Sequence, residues 1–279
     1  MGKIKSTFQR YEKKYLLDEN KYYKFLNKIE DKMRIDDYGK VTICNIYFDT
    51  EDSRLIRYSL DKPVYKEKLR MRSYDVPNSK STVFVELKKK YDGVVYKRRE
   101  NMLIVEAENY LYRGEYPSFE SQVLHEIDWF INHYKTIQPS MYISYERIAM
   151  YGIEDSEIRI TFDENILWRD TELDLKKGSW GNPIINKNEY LMEVKIAGGM
   201  PFWLCDALNS LEIYPRSFSK YGIAYQMQQG YIDMINTEES YEREVFACYK
   251  FLEILGGEEV VRFIICFKFI NRGYKFDFR

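Results

Sequence analysis

In the stretch Tyr65-Lys66-Glu67-Lys68-Leu69-Arg70-Met71-Arg72 every second residue is a cation. Side chains alternate across a β-strand, so Lys66, Lys68, Arg70 and Arg72 would share one face at spacings of roughly 7 Å. Like charges held that close repel unless an anion lies among them. Arg can grip phosphate oxygens through two parallel N–H groups, and Lys adds a compact point charge. The same parity test groups Arg10, Glu12 and Lys14, then Glu86 with Lys88, and Lys97 with Arg99. Further along it groups Arg147 with Tyr145, Arg159 with Thr161 and Asp163, and Glu193 with Lys195. A solvated sheet face usually mixes signs. Here the cations outnumber Glu12, Glu86, Asp163 and Glu193, which predicts a concentrated anion site. The carboxylates among the cations could hold Mg2+ or Mn2+, which take oxygen ligands and bridge phosphates. A helix start at Ser217-Phe218-Ser219-Lys220 would add free backbone N–H groups for an anion.

These charges need strands to position them. Alternating runs at 8–17, 41–49, 64–74, 82–89, 93–99, 141–150, 157–168 and 190–196 suit eight antiparallel strands. Eight strands can close into a small barrel whose lumen holds side chains or one small ligand. The expected fold is α+β: a closed eight-stranded antiparallel barrel with helices packed outside and at its ends. Glu12 and Glu193, far apart in the chain, become neighbours if the barrel closes. Helical stripes run through Tyr22, Phe25, Leu26, Ile29 and Met33, capped by Asp18 or Asn20, and through Val123, Leu124, Ile127, Phe130, Ile131 and Tyr134. Pro201 suits the first turn of a helix to about Leu211, and Ser217 or Ser219 caps one running to about Ile235.

Composition narrows the partners. The 279 residues carry a net charge of −1, so the chain is no polycation and gives no case for nucleic acid. Cys44, Cys205, Cys248 and Cys266 are scattered, as expected of reduced thiols in a cytoplasmic protein. His125 and His133 lack the Cys or acidic companions of a zinc site. The N-terminus has no apolar leader, and the run 260–270 is too short and too charged to span a bilayer. No glycine-rich nucleotide fingerprint is present, so any ATP would be held by its phosphates alone.

At these residues the chain resembles the VTC domain, the polyphosphate polymerase module of the triphosphate tunnel metalloenzymes, relatives of the CYTH-type triphosphatases. The matching stretches are Arg10-Tyr-Glu-Lys-Lys-Tyr15, Tyr47-Phe-Asp-Thr50, Lys68-Leu-Arg-Met-Arg72, Phe84-Val-Glu-Leu-Lys88, Lys97-Arg-Arg99, Tyr145-Glu-Arg147, Arg159-Ile-Thr-Phe-Asp163, Leu191-Met-Glu-Val-Lys195 and Ser217-Phe-Ser-Lys-Tyr221. The resemblance implies a tunnel domain over 1–236 and leaves 237–279 as a tail without a role. It implies that Lys14, Arg70, Arg72, Lys88, Lys97, Arg147, Arg159 and Lys220 grip phosphates, with Lys68, Arg99, Lys195 and Ser219 beside them. Glu193 would be the main metal ligand and Glu12 a second. Arg10 stands where the wider superfamily has a first glutamate. The implied reaction transfers the ATP γ-phosphoryl group to a growing polyphosphate chain, with Mn2+ or Mg2+. The alternatives are a metal-dependent triphosphatase of the same superfamily, or a non-catalytic module that binds polyphosphate or an inositol phosphate.

Overall fold

Strand β1 (Tyr11–Asp18) buries Tyr15 and Leu17 on one face and carries Glu12 and Lys14 on the other, as the alternation requires. It is the first element of a computed structural model that describes residues 11–92 and 94–232, all within one unit, Met1–Met234. Arg10 and the expected tail 237–279 lie outside the described residues.

Asp18 ends β1 and caps helix α1 (Glu19–Ile29), its carboxylate accepting from the Lys21 N–H at 2.8 Å. Then follow β2 (Met33–Asp49), α2 (Arg54–Leu60), β3 (Tyr65–Tyr74), β4 (Thr82–Tyr91), β5 (Val94–Leu103), α3 (Ile104–Arg113) and α4 (Gln122–Tyr134). The described chain continues through β6 (Gln138–Gly152), β7 (Arg159–Arg169), the short β8 (Asn182–Pro183), β9 (Glu189–Ile196), α5 (Phe202–Ser210) and α6 (Lys220–Gln228).

The strands form one antiparallel sheet in the order β1-β9-β7-β6-β2-β3-β4-β5, with β8 added beside β7. The first and last long strands pair directly, Lys14 opposite Glu193 and Glu12 opposite Lys195. That pairing makes Glu12 and Glu193 neighbours without closing the sheet. The hydrogen-bonded ladder ends at β1 and β5, so the expected closure is not made by backbone pairing.

The outward faces of the strands supply two apolar clusters. Ile46, Phe48, Leu69, Met71, Val85 and Leu87 pack with Ala107, Leu111, Leu124, Ile127 and Phe130 of α3 and α4. Tyr15, Leu17, Phe162, Met192 and Val194 pack with Phe25, Ile29, Leu204 and Leu208 of α1 and α5. Each such side chain stabilises the fold by about 1.5–3 kcal/mol when fully buried. Because the cores lie outside the sheet's curve, its other face is free to be charged.

Other expectations shift in detail. Met33 starts β2 rather than ending the first helix, and Pro201 precedes α5 rather than occupying its first turn. Ser219, not Ser217, caps α6, which ends at Gln228. Helices α2 and α3 were not expected, nor was the first half of β2.

Candidate functional site

The charged faces of the strands converge on a cavity of about 980 Å3. Its cationic lining is Lys14 from β1, Lys68, Arg70 and Arg72 from β3, Lys88 from β4, Lys97 from β5, Arg147 from β6, Lys195 from β9 and Lys220 from α6. Tyr47, Tyr145, Tyr221 and Ser219 complete much of the wall, with Glu12, Glu193 and Asp92 as its acids. Behind the lining lie two further buried carboxylates, Glu86 and Asp163. With every lysine protonated, nine cations against these five carboxylates leave four positive charges around one space.

Glu86 is a shared counter-ion. It lies 2.6 Å from the Arg70 guanidinium, 2.5 Å from Arg99, 2.7 Å from Lys97 and 3.9 Å from Arg72. Burial alone would raise its pKa, but Arg70, Arg72 and Lys97 outweigh burial and hold it far below the usual range. Arg72 donates to the Asn45 side-chain oxygen at 2.8 Å and to the Tyr145 hydroxyl at 3.1 Å. Arg70 donates to the Tyr47 hydroxyl at 3.1 Å.

The opposite wall has its own hub. Asp163 accepts two hydrogen bonds from Arg147, at 2.6 and 2.7 Å, and one from Lys220 at 2.5 Å. Glu193 lies 3.4–3.9 Å from Lys195, Lys14, Lys220 and Arg147. Burial opposes both negative charges, yet the surrounding cations keep both carboxylates ionised. Lys220 is only 8% exposed, so it is a buried helix-start cation rather than a solvated one.

Lys68 and Lys88 differ from the rest. Among the described residues no carboxylate lies within 4 Å of either. Lys68 donates to the Ser219 hydroxyl at 3.1 Å, and that hydroxyl in turn accepts the Gly222 N–H at the start of α6. Burial, reinforced by Lys66, Lys88, Lys14 and Arg70, lowers the Lys68 pKa to about 7. Burial lowers Lys88 as well, with Glu12 partly opposing.

The remaining residues of the parity groups are placed elsewhere. Lys66 donates to the Ser59 carbonyl at 3.1 Å, and Arg99 packs over the Phe84 ring, 4.5 Å from its centre; neither lines the cavity. Arg159 is exposed, bonded to the Ser156 carbonyl, and also outside the lining.

Sequence reasoning gave no role to Asp49. Its carboxylate accepts the N–H groups of Thr50, Leu55 and Ile56 and the Tyr221 hydroxyl, the last at 2.8 Å. Tyr221 stacks on Tyr47, ring centres 4.6 Å apart, so the start of α6 is tied to the β2–β3 wall. The shared parity of Tyr47 and Asp49 was the available signal.

No cluster of three or more metal-binding side chains of the His, Cys, Asp or Glu types exists among the described residues. Glu12 and Glu193 do fit a single hard cation. The Lys14 ammonium lies 3.7 Å from one and 3.5 Å from the other, so both carboxylates converge on one positive charge. Mg2+ and Mn2+ need no more than one or two carboxylates when phosphate supplies further oxygens. Two ions would exceed this set.

The model of the VTC domain family matches residues 9–228. No curated protein matches the chain. Among solved structures, a candidate adenylate cyclase from Bacillus halodurans is 15% identical, covering 75% of this chain and 92% of that one, with a TM-score of 0.47. A candidate adenylyl cyclase from Hippeastrum, described as having a dominant triphosphatase activity, is 14% identical over 78% of this chain and 96% of that one, with a TM-score of 0.49. No helix among the described residues is long and apolar enough to cross a membrane.

Proposed function

This chain belongs to the VTC domain family, and from that premise we propose that it is a metal-dependent phosphotransferase. It would hold the triphosphate of cytoplasmic ATP in the cationic cavity and pass the γ-phosphoryl group to a growing polyphosphate chain. The observation that carries the reading is the excess of cations around one space, with no carboxylate of the described residues within 4 Å of Lys68 or Lys88. A triphosphate carries negative charge of the same order as that excess.

The residues divide the work. Glu86 fixes Arg70, Arg72 and Lys97 in orientation, so their N–H groups face the phosphates without further ordering on binding. Lys68 adds attraction with no carboxylate within 4 Å, and Lys88 adds more that Glu12 offsets only in part. Lys220, Arg147 and the start of α6 gather at the far wall, where negative charge on the γ-phosphoryl oxygens and the departing bridging oxygen is stabilised. A terminal phosphate oxygen of the acceptor attacks the γ-phosphorus. The bond from that phosphorus to the β–γ bridging oxygen breaks, and its electron pair leaves on ADP. No protein nucleophile takes part. Glu193 and Glu12 would hold one Mn2+ or Mg2+, which neutralises phosphate oxygens when bound. We read the cavity as a tunnel whose edges, β1 and β5, meet around substrate through side chains, in a domain spanning 1–236 with 237–279 apart from the reaction.

Incubation with ATP and Mn2+, scoring polyphosphate, orthophosphate and ADP together, tests this. The proposal requires polyphosphate and ADP. Orthophosphate with ADP and no chains would make the protein a triphosphatase. Tight polyphosphate binding without turnover would make it a binding module.

A further inference from the structure

Thr161 lies on β7 between two members of the charged face, Arg159 and Asp163, while Ile160 and Phe162 turn the other way into an apolar cluster. Its register partner on β9 is Glu193. Directly opposed residues of an antiparallel pair bring their Cβ atoms within about 5 Å, so the threonine hydroxyl and the glutamate share one small region. Glu193 is opposed in turn by Lys14 on β1, with Glu12 one diagonal step away.

The Thr161 side chain is buried, with 8% of the residue exposed, and its hydroxyl has no hydrogen-bond partner. Buried hydroxyls are nearly always paired, because leaving one unpaired forfeits its hydration without return. The other unpartnered buried groups among the described residues are the hydroxyls of Tyr110 and Tyr142 and the Trp168 indole N–H. None of the four lines the cavity, but Thr161 alone is opposed across the ladder by a residue that does, Glu193. Thr161 is therefore the unpaired hydroxyl that sits on the charged face, beside the carboxylate that four cations surround.

We propose that the Thr161 hydroxyl is a third protein oxygen for the divalent cation, acting with Glu193 and Glu12. The inference rests on the metal-dependent reading of the cavity. A neutral hydroxyl adds an oxygen donor without adding negative charge, which suits a site whose remaining ligands are phosphate oxygens. It also accounts for a polar side chain at a buried position where valine would fit the strand equally well and leave nothing unpaired.

The test is Mn2+ titration of the full chain, followed by electron paramagnetic resonance, alone and with tripolyphosphate. Thr161→Val keeps the shape and removes the oxygen; Thr161→Ser keeps the oxygen. Mn2+ affinity should fall about tenfold in Thr161→Val and stay near wild type in Thr161→Ser, in line with the effect of groups that orient metal ligands. The melting temperature of metal-free Thr161→Val should hold or rise, since an unpaired buried hydroxyl is lost. Equal Mn2+ affinity in wild type and Thr161→Val overturns the inference. A wild-type chain that binds tripolyphosphate but no Mn2+ overturns it too, yet leaves the triphosphate reading in place. A chain that binds neither overturns both.

Discussion

The two walls of the cavity solve the same electrostatic problem differently. On the β3–β4–β5 side a single carboxylate, Glu86, serves Arg70, Arg72, Lys97 and Arg99, while Lys68 and Lys88 have none within 4 Å. On the side of β6, β7, β9 and α6, Asp163 and Glu193 together serve Arg147, Lys220, Lys14 and Lys195. The first wall keeps a surplus of positive charge, and the second is nearer to balance. A surplus attracts an anion, whereas a balanced and tightly bonded wall holds its groups in place. Grip and alignment are thus assigned to different strands.

The largest effect should come from removing the shared counter-ion. Glu86→Gln leaves buried cations facing one another, and breaking such a cluster costs about 3–5 kcal/mol. Thermal melting should show the loss, and added tripolyphosphate should restore part of it by replacing the missing charge. A variant as stable as wild type would mean that the first wall does not depend on Glu86.

Turnover separates the walls next. Lys220→Ala should lower the rate at saturating ATP by about 10²–10³-fold, the usual consequence of losing one oriented charge at a transition state. Nucleotide binding should weaken far less. Arg70→Ala, on the gripping wall, should raise the ATP requirement as well as slow the reaction. If the two variants show the same split between binding and rate, the division of labour is wrong.

A smaller change is expected for Glu193→Gln. Metal activation should need about 10–100-fold more Mn2+, with metal-free triphosphate binding little altered. Superimposable metal activation curves would remove Glu193 from the metal site.

The smallest effect is also the most local. The Lys68 pKa in the folded chain, about 7, lies below that of an unfolded lysine, so between roughly pH 7 and 10 the unfolded state binds the extra proton. The contribution of Lys68 to stability therefore improves as pH rises through that window, whereas triphosphate binding weakens because the ammonium is lost. Lys68→Met should make both trends shallower, seen in melting temperature and in tripolyphosphate affinity between pH 6 and 9, with Lys97 supplying what slope remains. A binding profile with unchanged slope would show that Lys68 does not meet the phosphates.

Much of this was legible in the chain itself. Strict alternation exposed the Lys68, Arg70 and Arg72 face, and the start of α1 was narrowed to a cap at Asp18 or Asn20, of which Asp18 makes it. Elements without a local signature were not. Helix α2 has no side-chain cap of its own at Ser53; its N–H groups are taken by Asp49, several residues upstream and at the end of a strand. Helix α3 likewise starts without a capping side chain. The first half of β2 loses its alternation at the register shift around Gly39, whose φ of 62° breaks the strand period. The acids were harder still. Glu86 and Glu193 look alike as residues within alternating charged strands, and only cross-strand register reveals that one meets four cations of the β3–β5 wall while the other faces Glu12, Lys14 and Thr161.

The central claim is that the uncompensated lysines receive a triphosphate, and calorimetric titration with tripolyphosphate at pH 8 tests it most directly. At that pH Lys68 is largely neutral in the free protein, and a bound polyanion beside it should draw a proton back. Repeating the titration in buffers of different ionisation enthalpy measures that uptake. The expected result is binding with net proton uptake in wild type and a smaller uptake in Lys68→Met, where Lys97, its pKa lowered to about 8 chiefly by burial, still contributes; no binding, or an uptake unchanged in Lys68→Met, would contradict it.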